Sequence, residues 1–353
     1  MRGSARALLV CGTLITAGLG GAAPAAASAA VPSCSVTFEG TVSNQWNNPA
    51  NWSTGKVPGP KSDVCITKAS PTATGKIDVH SLQVGTGTSV DFGGNATASV
   101  TISDILISDG TVLLDGRLSA PKIDNAFALA GAGTLASPGN ATITSPALSS
   151  TGLIGALFGT LRLTDDPLQL RSGTLTSGIL QVVDGTLILN GDISSIAAGQ
   201  IQLVGLPNRI ENKNGGNALA SLSSIGQNGV LGVDGGGSLA VNGNLVSQGH
   251  LRVGFNESGG AMTVGGSFTQ TSTGTFTVHF GSKLSIGGTA TLGGSIDTLV
   301  NGNCLPQDGA IATAMTFAAR TGMFTTHNAG FNVLYSPTSV GVQYEGPPGN
   351  PCS

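Results

Sequence analysis

Apolar and polar residues alternate along most of this chain in short stretches, and three stretches align when written one above another. They are "LAVNGNLVSQGHLRVG" from Leu239, "MTVGGSFTQTSTGTFTVHF" from Met262 and "LSIGGTATLGGSIDTL" from Leu284. Each opens on an apolar-x-apolar strand and turns at Asn-Gly or Gly-Gly. A second strand starts at Leu245, Phe268 or Ala290, and a third passes through Leu251, Phe276 or Ile296. The starts lie 23 and 22 residues apart. "LILNGDISSIAAGQIQLVG" from Leu187 fits the same template, the segment from Ile210 fits it with an insertion before Leu239, and "DGTVLLDG" and "SGTLTSGILQVVDGTL" are less regular turns of the pattern.

Three short strands per repeat with glycine at the corners predict an all-β fold, a parallel β-solenoid (β-helix) in which each repeat is one coil stacked on the last. Alternation places Leu, Val, Ile and Phe inward and Ser, Thr, Asn and Gln outward. Corners favour Gly or Asn because φ turns positive there. Residues 81–300 would form about ten coils, a rod ~48 Å long at ~4.8 Å per coil. Stacked immunoglobulin-like sandwiches are the rival, since they too use short strands with frequent turns. The repeat is far shorter than a ~100-residue sandwich, however, and the 4% aromatic content leaves few residues for a sandwich core.

Composition agrees. Glycine is 55 of 353 residues and only 9% are charged, against ~25% in an average domain, while 40% are hydrophobic. A charge repeated on successive coils would face its own copy, whereas hydroxyl and amide side chains hydrogen-bond along the stack. A net charge of −3, with no Lys/Arg cluster interleaved with aromatics, argues against nucleic acid or an anionic membrane as partner.

Residues 1–29 read as a signal peptide: "MRGSAR" is a basic n-region, "ALLVCGTLITAGLGG" an apolar h-region, and "AAPAAASAA" supplies cleavage sites, with Ala29 the expected last residue removed. No later apolar run reaches the ~20 residues that span a bilayer. The expected location is therefore secreted and extracellular, free or associated with the cell surface, a setting that permits disulfides among Cys34, Cys65, Cys304 and Cys352. Pairing within each terminus would staple both ends, although four cysteines allow three connectivities. No CxxC pair or neighbouring His points to a metal, and no cofactor is expected.

Both tryptophans lie in "SNQWNNPANWSTGKVPGPKSDVCIT", just before the first regular coil. A solenoid exposes a pairing edge at each end unless something covers it, and two large rings suit that purpose. Residues 30–80 are therefore read as an N-terminal cap and 301–353 as a C-terminal cap. The alternative is an exposed carbohydrate platform of Trp46 and Trp52 with Asn51, aided by Asn47 and Asn48. The segment resembles the N-terminus of secreted bacterial β-helix and autotransporter-like surface proteins, with Trp46, Asn51, Trp52, Gly55, Pro58, Asp63, Val64 and Ile66 at the matching positions. "FAARTGMFTTHNAGFNVLYSPTSVGVQY" resembles their closing strands. The resemblance implies the fold and a surface location; such solenoids carry adhesins, passenger domains and polysaccharide-active enzymes alike.

Fragments with enzyme-like residues are Asp165-Asp166, Arg209 with Lys213, and His250 with Arg252. Their order differs from that of polygalacturonase-like enzymes, where the Gly-His element precedes Arg-x-Lys, and the Asn-Thr-Asp element is missing. Asp165-Asp166 before Pro167 reads as a turn. The repeat alignment puts Gln200, Val230, His250, Thr275 and Ser295 in one outward column and Gln202, Gly232, Arg252, Thr277 and Asp297 in another, with no acid pair or nucleophile and base on adjacent coils. His250 reads as a solvated surface residue. The expected protein is a secreted, non-enzymatic structural or adhesive surface protein that meets cell-wall or extracellular polysaccharide; a carbohydrate-binding or polysaccharide-active β-helix is the alternative.

Overall fold

A computed structural model describes residues 33–94, 96–125, 127–128, 131–254, 259–300 and 305–346. Over half of the chain is strand, coiled into a parallel β-solenoid of about nine turns, or ~43 Å of rod at ~4.8 Å per turn. Three sides are visible in each coil, and one runs the length of the rod. It starts at Thr72–Ala73, climbs through Ser89–Phe92, Thr111–Leu114, Thr134–Ser137 and Leu153–Leu157, and ends at Ser295–Leu299 and Thr326–His327.

The core of that side is a ladder of stacked apolar residues, aliphatic but for one phenylalanine: Val90, Val112, Leu135, Ile154, Leu180, Ile201, Leu231, Leu251, Phe276 and Ile296. None has measurable exposure. Each rung places apolar surface against the rung below, at roughly 1.5 to 3 kcal/mol for a fully buried side chain of this size. The repeat alignment drawn from sequence holds here: Gln200, Val230, His250, Thr275 and Ser295 are successive register partners, and so are Leu239, Met262 and Leu284. The extra residues of the Ile210 repeat fall at 212–223, where the chain doubles back so that Glu211 bridges Asn217.

The stack reaches beyond the range 81–300 in both directions. Val36–Thr37 already pairs in parallel with Asp63–Ile66, and that strand with Ser81–Val84. At the other end Ala319–Gly322 still pairs in parallel with Thr289–Leu292. Only then does the direction change: Ser339–Tyr344 runs antiparallel to both Ile311–Thr316 and Phe331–Tyr335. A reversed strand cannot serve as the template for another identical coil, which blunts the edge. The expected signal peptide at 1–29 lies outside the described residues.

Candidate functional site

Below the first coil, Trp46 and Trp52 meet edge to face with ring centroids 4.7 Å apart, and Phe38 and Phe92 flank them at 4.9 Å from Trp52 and 5.9 Å from Trp46. The Trp52 indole N–H donates to the Trp46 carbonyl at 2.7 Å. The two tryptophans are only 1% and 3% exposed. A stacking platform needs a ring face in water, and neither ring offers one, so Trp46, Asn51 and Trp52 do not form the exposed carbohydrate surface considered above.

Asn51 is buried and fully used. Its oxygen accepts from the main-chain N–H groups of Val42 and Ser43, while its amide donates to the Ser43 hydroxyl and the Gln45 carbonyl. One side chain thus pins the loop that delivers Trp46. Cys34 and Cys65 form a disulfide with Cα atoms 5.7 Å apart, tying the first strand to the second. Cys304 and Cys352 lie outside the described residues. Next to the disulfide, Asp63 accepts hydrogen bonds from the Ser81 hydroxyl and His80 Nδ1 at 2.7 and 2.8 Å. The bond from Ser81, then that from His80, holds the Asp63 carboxyl below its ordinary range, and the bond to Asp63 raises His80. Sequence reading gave neither residue this role, since a hydrogen bond across 18 positions leaves no local trace.

Of the two acids singled out from sequence, Asp166 is a corner staple, and Asp115, Asn140 and Asp184, which the sequence reading passed over, act in the same way. Asp166 accepts from the N–H of Asn190, Asp115 from that of Asn140, Asn140 from that of Thr160 and Asp184 from that of Leu206. In each case the partner sits about one repeat later, so the carboxylate or amide satisfies a corner N–H of the next coil. Asp165, by contrast, accepts from the neighbouring Thr164 hydroxyl. Arg209 lies 3.7 Å from Glu211 on its own strand, and Lys213 stands apart on the doubled-back turn. His250 is half-buried, and burial, then Arg252, lowers its pKa.

A different side of the rod carries a groove of about 620 Å³ across Gly75–Val79, Ala98–Ile102, Gly116–Ser119, Ala141–Thr144 and Thr160–Leu163. Along one edge the register column reads Gly75, Ala98, Gly116, Ala141, residues with little or no side chain to fill the corner. Gly116 is required: at φ +129° an added Cβ would lie 2.1 Å from the Ala98 carbonyl oxygen. The adjacent outward column reads Lys76, Ser99, Arg117, Thr142, Arg162, so a cation recurs on every second coil with a hydroxyl between. Lys76 is paired with Asp78 at 2.7 Å. Arg117 and Arg162 are exposed and have no ion-pair partner among the described residues. Hydroxyl and amide groups of Thr97, Ser99, Asn140, Thr142 and Thr160 complete the lining, which contains no carboxylate. Sequence reading passed over this column because the less regular coils before residue 180 could not be aligned without the strands.

At the corner leading into this groove stands Phe158, 51% exposed, in the left-handed backbone region at φ +62°. The same corner is left-handed one coil later at Asp184 and again at Gly205, with φ of +47° and +75°. Gly205 bears the conformation freely and Asp184 gains its bond from Leu206. Phe158 has neither compensation.

These features define an all-β parallel solenoid with an aromatic-sealed base and a polar, cation-bearing groove on one side. Comparison with protein-family models, curated proteins and solved structures finds no match for the chain.

Proposed function

We propose that the protein is an exported, non-enzymatic surface protein, a rigid rod that serves a structural or adhesive role outside the cell. The observation that carries this reading is the unbroken side running from Thr72–Ala73 to Thr326–His327 above a base of buried aromatic rings, while the neighbouring side that reaches Ile311–Thr316 ends on a reversed strand. A sealed base and a blunted upper edge suit a particle that displays its sides and does not polymerise through its edges. The Cys34–Cys65 disulfide fits an oxidising compartment. The cap segment that resembles secreted bacterial β-helix and autotransporter-like surface proteins points the same way.

A second reading, a carbohydrate-binding or polysaccharide-active β-helix, is favoured by the groove with its hydroxyl, amide and guanidinium lining. One experiment separates adhesion from cleavage: retention of the purified protein on cellulose, chitin, pectin and peptidoglycan, run beside an assay for newly formed reducing ends. Retention with no reducing ends supports adhesion through carbohydrate binding, the ground the two readings share, and sets aside the polysaccharide-active form. Time-dependent release of reducing ends would replace the adhesive reading with an enzyme.

A further inference from the structure

We propose that the groove holds an acidic polysaccharide lengthwise, its anionic groups paired with Arg117 and Arg162 and one sugar face laid against Phe158. This deepens the adhesive reading and rests on it. Arg117 and Arg162 occupy the same column two coil steps apart, ~9.6 Å at the usual strand spacing. That separation suits anions recurring along an extended chain better than one small anion held by both. Guanidinium groups present paired donors to carboxylate or sulfate oxygens. Between and beside them Ser99, Thr142, Thr160 and Asn140 present groups that match sugar hydroxyls. The one carboxylate at the groove's corner, Asp115, already accepts the Asn140 N–H at 3.0 Å.

Phe158 is the independent observation. A bulky residue in the left-handed region is sterically strained, and exposing its ring forfeits burial as well. Strain of this kind persists where a side chain has a task, and an aromatic face beside a polar groove suits the apolar face of a sugar ring. Nucleic acid fits less well, since a strand of bases takes a run of stacking rings and cations, and beside this groove stand one ring and, among the described residues, two cations without an ion-pair partner. A membrane surface fits less well because no apolar side chain flanks the arginines in their column except Ile188 at its top.

The test measures affinity of the full mature chain for polygalacturonate, dextran sulfate, cellulose and duplex DNA at low and high salt. The variants are Arg117→Gln, Arg162→Gln, their double, Phe158→Ala and, away from the groove, Lys283→Gln. The expected result is salt-sensitive binding to polygalacturonate, dextran sulfate or both, weakened about tenfold per arginine, weakened also by Phe158→Ala, and unchanged by Lys283→Gln. Polyanion binding untouched by the double variant, or lowered equally by Lys283→Gln, would overturn the assignment. Preference for DNA would overturn it too. Binding to cellulose alone would leave the adhesive reading standing and remove this one, whereas binding to none of the glycans here and none of the wall materials above would remove both.

Discussion

The indole N–H of Trp52 reaches the main-chain carbonyl of Trp46 at 2.7 Å, so the two rings that seal the base of the rod are joined by a hydrogen bond as well as by contact. Truncating either ring to Ala should cost about 3 to 5 kcal/mol, the range for large aromatic deletions in a core. Trp52→Phe should cost less, because it keeps much of the ring but leaves the Trp46 carbonyl without its donor. Thermal melts and acrylamide quenching of tryptophan fluorescence measure both. Ready quenching in the wild type, with melts unchanged in the Ala variants, would contradict the packing described here.

Reduction of the Cys34–Cys65 disulfide should loosen the base before the rod. The bond closes a loop with a sequence separation of 31, worth about 3 to 4 kcal/mol on the loop-entropy model, whereas the coils above depend on the buried apolar ladder. Hydrogen exchange resolved by peptide should show protection falling first in residues 34–66. If residues 180–300 lost protection at the same mild reducing condition, the two parts would be one cooperative unit.

Much of this architecture was legible because a stacked coil writes its register directly into the sequence. Leu239, Met262 and Leu284 align by eye and are register partners in the structure. The early coils resisted that reading, since their strands vary in spacing, and with them went the Lys76, Arg117, Arg162 column. Phe158 was invisible for another reason: nothing in "ALFGT" announces that its backbone is left-handed. Asp234 was hidden by parity. Alternation places it outward beyond Gly232, yet it is buried at the end of its strand.

That burial has a pH consequence. Desolvation, only partly offset by the charge of Arg252, pushes the Asp234 carboxyl from 3.8 up to about 6, and its Oδ1 has no hydrogen-bond partner. A folded pKa above the unfolded one means the folded state holds the proton longer. The contribution is therefore fully present below pH ~4 and is lost as pH rises through ~6, about 3 kcal/mol in all. Asp234→Asn removes the charge that must be buried. Urea unfolding at pH 8 should find it more stable than the wild type by up to that amount, with the gap closing by pH 4. The same gap at both pH values would show that ionisation plays no part.

Phe158 separates stability from binding in a single position. Glycine adopts φ near +62° without the steric penalty of a Cβ, and Gly205 shows that it is accepted at this corner two coils on. Phe158→Gly should relieve about 1 kcal/mol of backbone strain, reduced by the greater entropy of glycine in the unfolded chain. Since the ring is 51% exposed, little packing is lost with it. The melting temperature should hold or rise by a few degrees, while affinity for polygalacturonate or dextran sulfate falls as it does for Phe158→Ala. Phe158→Ala keeps the strained backbone and loses only the ring, so comparing the two variants assigns the melting change to the backbone and the affinity change to the side chain. A clear drop in melting temperature for both would mean that the ring packs against the corner and stabilises it, and the strain at residue 158 would then have a structural cause.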